Sequence, residues 1–162
     1  FIMVGLPFEE KKDLMDTISI LGKTRPGRFR WTYFFPYPGT ESYRLAEKGN
    51  FIDYEKMRML VNFTGESCLD FGPEQNLLLS KVGRIMPWFV NAYAEFEASG
   101  FYRQKVDEIL SLTAEEWAKL SPGLLEEDKK ISKSFQERNL SHYAIKYNPF
   151  MGVISDYFLN EK

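Results

Sequence analysis

Cysteine and histidine are almost missing: Cys68 and His142 are the only ones among 162 residues. A single cysteine excludes an intrachain disulfide, and it excludes any iron–sulfur cluster that would need three or four thiolates from this chain. Long apolar runs are missing as well. None reaches the roughly 18 residues of a spanning helix, and no basic stretch precedes an apolar one at the start; the expectation is a soluble, cytoplasmic protein with no membrane partner. Excess charge of one sign is also lacking. Lys and Arg number 21 against 23 Asp and Glu, a net charge of -2, which gives no general attraction to nucleic acid. There is no Walker loop, GxGxxG, GxSxG or HExxH, so none of the chemistries those patterns carry is expected.

What is present is apolar and aromatic: 44% and 16% of the chain, enough for one sizeable core and no need of two. Two stretches organise it. Phe1 to Pro7 and Phe29 to Phe35, the latter running into Pro36-Tyr37-Pro38-Gly39-Thr40, are apolar runs that stop at a Gly/Pro turn and hand over to a helix-like segment. Between them Leu14, Ile18 and Leu21 recur at helical spacing, and Gly22 and Pro26-Gly27 end the stripe. A strand, a covering helix and a second strand predict a βαβ unit with parallel strands, whose ligands collect at the carboxyl ends. Here those ends are Gly5-Leu6-Pro7 and Pro36-Tyr37-Pro38-Gly39-Thr40. Only two strands are evident. Parallel pairs need sheet neighbours, and Phe1 already lies inside an apolar run, so the chain is expected to be a piece of a longer protein or to cover its sheet edges by self-association.

Along the chain, Glu9 and Glu10 are expected in the first turn of the helix, facing its positive end. Thr40 is expected to cap a short helix to Lys48, and a second helix is expected from Asp53 with Met57, Leu60 and Val61 inward. Residues 62–72 are irregular. From Glu74 the spacing of Leu78, Val82, Ile85, Phe89, Tyr93 and Phe96 predicts a long helix kinked at Pro87. Further helices are expected over residues 101–112, after a Thr113/Glu116 capping box, over residues 124–139 and from Asn148-Pro149 to about Asn160.

Several residues invite chemistry and have a simpler reading. Arg25, Arg28 and Arg30 sit where the second strand begins, the rim away from a ligand, and read as solvated. Cys68 has no base near it in sequence and reads as a packed thiol; His142 has no evident nucleophile or orienting carboxylate. Glu126-Glu127-Asp128 followed by Lys129-Lys130 reads as a solvated helix face. The aromatic clusters follow the period of their elements and read as core. What remains is the pair of strand ends, whose Gly and Pro expose backbone groups to a flat, polar-rimmed ligand such as adenine.

Phe1-Ile2-Met3-Val4-Gly5-Leu6-Pro7-Phe8-Glu9-Glu10, then about twenty residues, then Phe34-Phe35-Pro36-Tyr37-Pro38-Gly39-Thr40-Glu41, resembles the fifth and sixth barrel strands of radical S-adenosylmethionine enzymes. The likeness is to the cobalamin-dependent class, where a GLPGET strand end precedes a PYPGT turn. Phe8 stands where that family usually has Gly, and Glu10 where Thr is common. The resemblance covers about the first fifty residues. It implies an α/β fold: a fragment of a partial TIM-type barrel with two parallel strands (residues 1–50), followed by a mostly helical C-terminal extension (51–162). It also implies that the whole protein cleaves S-adenosylmethionine reductively to a deoxyadenosyl radical. The CxxxCxxC that would hold a 4Fe-4S cluster, and the cobalamin domain, are not in this chain. Carried over, the adenine of S-adenosylmethionine would pack on Val4, Gly5 and Leu6 and on Phe35, Pro36 and Tyr37, none of them a catalytic acid or base.

Two rivals stand beside that reading. One is a non-catalytic helical interaction or oligomerisation module built on the aromatic helices from Glu74; the other is a small enzyme using His142 and Cys68.

Overall fold

The computed structural model describes residues 1–60 and 65–157. Strand β1 (Ile2–Val4) and strand β2 (Arg28–Tyr33) pair in parallel, Ile2 with Trp31 and Val4 with Tyr33. Helix α1 (Lys11–Thr24) connects them, and its Leu14 and Ile18 are fully buried, as their spacing requires. Gly22 explains how closely α1 lies on its neighbour. A Cβ there would come within 2.9 Å of the backbone at Tyr93 and Ala94, and no flexible side chain could give way.

Caps set the next helices. Thr40 Oγ1 accepts from Tyr43 N (3.2 Å) at the start of α2 (Glu41–Lys48), and Asp53 accepts from Lys56 N (2.9 Å) at the start of α3 (Tyr54–Met59). Met57 and Leu60 are half-buried; Val61, expected inward, lies outside the described residues. The long helix expected from Glu74 is two. Ile85, at φ -137, breaks it into α4 (Pro73–Arg84) and α5 (Met86–Tyr93), with Pro87 inside the first turn of α5, where its missing amide costs nothing. Helix α5 is buried from Met86 to Ala92 and forms the centre of the core. Around it lie α6 (Ser99–Ser111), α7 (Ala114–Leu120) with the Thr113/Glu116 capping box, a 3-10 turn (Ser121–Gly123) and α8 (Leu124–Glu137).

The chain then differs from its sequence reading. The helix expected from Asn148 is strand β4 (Met151–Ile154), which pairs antiparallel with both β2 and β3 (Tyr143–Ile145) and ends in a 3-10 turn (Ser155–Tyr157). Gly152 makes the pairing fit: a Cβ would lie 2.5 Å from the Phe29 ring. The sheet is thus four-stranded, open and mixed, in the order β1-β2-β4-β3. The architecture is α/β with mostly helical content, and two of its strands lie in the segment expected to be mostly helical. The main core joins both halves of the chain, with Val4, Trp31, Trp88 and Tyr143 in the same cluster, and a smaller one forms around Phe34, Ala46 and Leu69.

Three acidic residues also depart from expectation. Glu10 is the N-cap of α1, and the acid in the first turn is Asp13. Glu9 precedes α1, and its carboxylate accepts from Gly5 N instead of facing the helix dipole. Asp128 is 1% exposed and not on a solvated face, because it falls on the same stripe of α8 as Leu124 and Phe135.

Candidate functional site

The parallel ladder ends where Phe34 N donates to Val4 O at 2.8 Å, and there both chains leave the sheet at the same rim. On the β1 side, Gly5 has φ +73, a conformation that L side chains rarely adopt. Glu9 folds back onto it: its carboxylate accepts from Gly5 N (2.6 Å), while Glu9 N donates to Leu6 O (3.0 Å). Burial pulls the Glu9 carboxyl above its ordinary range, against the Gly5 and Leu6 amides that favour its charge. Within this closed turn Phe8 has φ 64, in the left-handed region a bulky residue seldom occupies.

On the β2 side, Pro36 is buried, Phe35 is half-buried and Tyr37 is exposed, with the Phe35 and Tyr37 rings 5.1 Å apart. Tyr37 O accepts from Thr40 N (3.2 Å) and Thr40 Oγ1 (2.8 Å), which fixes the turn to α2. The backbone amide and carbonyl of Phe35 make no hydrogen bond among the described residues. Val4 and Gly5 are buried under this rim and Leu6 is exposed on it.

Met3, Thr32 and Phe34 lie on the sheet face opposite Val4 and Trp31, where Phe34 packs with Ala46 of α2, and they line a cleft of about 350 Å³ reached also by Phe1, Phe35 and Tyr37. Its lining contains no charged side chain. Such a surface can stack and position a flat ring, with the Phe35 backbone able to read a ring edge. It offers no acid or base for proton transfer.

A larger cavity, about 620 Å³, lies on the helical side of the same Gly5–Glu9 turn, between α1, α4 and α6. Lys81 lines it at 2% exposure and donates to Leu110 O (3.1 Å) and Leu112 O (2.6 Å), the last carbonyls of α6. Burial lowers its pKa. Neither role is evident in the sequence: Lys81 meets carbonyls about thirty residues away, and Glu9 reaches Gly5 only because the chain reverses at Phe8.

The other candidates are not brought to the rim. Cys68 is buried beside the Ile52–Leu69 bridge, where its carbonyl accepts from Asp53 N, and burial pushes its thiol up and away from nucleophile character. His142 is fully buried on the far side of the core. Its Nδ1 faces Leu140 O and its Nε2 faces Ser132 Oγ, both at 2.9 Å, the arrangement of a satisfied core imidazole whose charging burial opposes. Arg28 and Arg30 are exposed, and Arg25 donates to Glu95 O (2.8 Å).

Among the described residues, no three His, Cys, Asp or Glu side chains gather as a metal site, and no helix is long and apolar enough to cross a membrane. No family model, curated protein or solved structure matches the chain.

Proposed function

We propose that this chain is the C-terminal part of a radical S-adenosylmethionine enzyme of the cobalamin-dependent class, supplying the adenine-side wall of the S-adenosylmethionine site and part of the substrate cavity. One observation carries the reading. Two parallel strands end side by side, so that Gly5-Leu6 leave the sheet next to Phe35-Pro36-Tyr37; Phe35 and Tyr37 line an aromatic cleft without charged side chains, and the Phe35 backbone is unbonded among the described residues. A second observation supports it. Phe8, at the position where the resembled motif has Gly, holds φ 64, a conformation glycine adopts without cost.

The residues fit an adenine and do not fit a cluster: a single buried cysteine cannot supply three thiolates. The chain alone therefore has no radical activity, and the cluster and cobalamin belong to the rest of the protein. Bound S-adenosylmethionine would supply the radical chemistry; Val4, Gly5, Leu6, Phe35, Pro36 and Tyr37 would orient it and exclude water. The outer edge of β1 is unpaired among the described residues. Together with the exposed face at Phe1 and Met3, it gives the missing part of the sheet, or a second copy of the chain, a place to add. The helical interaction module draws less support, because Trp88 and Phe89 of α5 are fully buried in the core and unavailable to a partner.

The test is an NMR titration of the chain with S-adenosylmethionine. With one wall of the site present, weak binding is expected, on the order of millimolar. Saturable shifts confined to residues 4–9 and 34–40 would support the proposal. Saturable shifts elsewhere, or none, would refute it.

A further inference from the structure

The cavity of about 620 Å³ between α1, α4 and α6 has a wall, a floor and a charge, of which the proposed function draws only on the backbone of Phe8. The wall is aromatic: the Phe8 and Phe51 rings are 5.2 Å apart, and those of Phe51 and Phe71 5.1 Å apart. The floor is aliphatic, made by Leu77, Leu78, Leu110 and Leu112. The charge is the Lys81 ammonium, which gives two of its three protons to Leu110 O and Leu112 O. A backbone in the left-handed region holds Phe8, 58% exposed, over the opening.

We propose that this cavity is a binding site for a monocarboxylate with an apolar body, its carboxylate taking the remaining proton of Lys81 and its hydrocarbon lying against the Phe8, Phe51 and Phe71 rings. The volume lies in the range of small-molecule pockets. A carboxylate on the ammonium makes a charge-assisted hydrogen bond, stronger than the bonds Lys81 makes to neutral carbonyls. The acids at the mouth set the limit on charge. Glu9 is held by Gly5 N, Glu10 and Glu74 stand at the starts of α1 and α4, and these three carboxylates outnumber the two cations of the lining, Lys11 and Lys81, so a dianion such as a phosphate monoester is disfavoured relative to a single carboxylate with its tail outward.

Dodecanoate is the probe and dodecanol its neutral control, each titrated below its aggregation limit while the leucine methyl resonances are followed. Dodecanoate is expected to shift Leu77, Leu78 and Leu112 saturably. Lys81→Met should weaken it by about tenfold and leave dodecanol binding unchanged. Phe8→Ala, a substitution at an exposed position, should weaken both ligands severalfold, and it keeps the test decisive if Lys81→Met does not fold. The proposal is overturned if dodecanoate gives no saturable shift, if its shifts map outside the cavity, if a folded Lys81→Met protein binds it as the wild type does, or if Phe8→Ala changes neither affinity.

Discussion

Replacing Asp128 tests whether a buried carboxylate holds three elements together. Asp128 Oδ1 accepts from Trp88 Nε1 (2.7 Å) in α5 and its Oδ2 from Ile145 N (2.9 Å) in β3, at 1% exposure. Burial raises its pKa from 3.8 to about 6, and the two hydrogen bonds only partly oppose that. The folded state therefore holds the proton more tightly than the unfolded one. The contribution of Asp128 to stability is complete below pH 3.8 and is lost as pH rises through about 6. A shift of that size corresponds to about 3 kcal/mol between the two limits.

Asp128→Asn removes the charge and with it the pH dependence, but turns an amide donor toward one of two N–H groups, which costs about 1–3 kcal/mol. Relative to wild type, the variant should be less stable by that amount below pH 3.8, and the difference should move in the variant's favour by about 3 kcal/mol as pH rises to 8. Urea unfolding followed by tryptophan fluorescence across this range measures the difference, and other titrating groups cancel in it. A wild-type and variant pair with parallel pH profiles would refute the argument.

Three further outcomes follow from local geometry. Gly22→Ala should destabilise by about 1–3 kcal/mol in thermal unfolding, because the new methyl meets α5 backbone and not a movable side chain. Thr113→Ala should cost about 1 kcal/mol, read by the same assay, since Thr113 Oγ1 accepts from Glu116 N at the start of α7. Tyr37→Ala should leave stability unchanged, as Tyr37 is 55% exposed, and should reduce the S-adenosylmethionine shifts at Phe35.

The parts of the fold legible in the sequence are those set by neighbours along the chain. Leu14 and Ile18 announce α1, Thr40 and Thr113 announce their helices, and the Gly5 and Gly39 turns mark the ends of two strands. Strands β3 and β4 are three and four residues long, too short for a period of two to show, and Asn148-Pro149 imitates a helix start. Strand β4 is fixed by a distant partner, Arg28 to Arg30, which no local signal reveals, and β3 pairs only with β4. Asp128 and Lys81 were illegible for a related reason. Charged residues on helices are usually solvated, and these two are buried because carbonyls and N–H groups from other segments satisfy them. Of the rim, the parallel pairing of its two strands was legible, but the Glu9 clasp on Gly5 was not: it depends on the chain reversing at Phe8 before α1 begins.

The central claim is that the two strand ends make one nucleoside shelf. Photolabelling with 2-azidoadenosine, followed by tryptic mapping, tests it most directly. The account predicts label on the peptides Phe1–Lys11 and Trp31–Arg44, diminished by excess S-adenosylmethionine. Label on the α5 to α8 peptides, or label at the rim that S-adenosylmethionine does not displace, would contradict it.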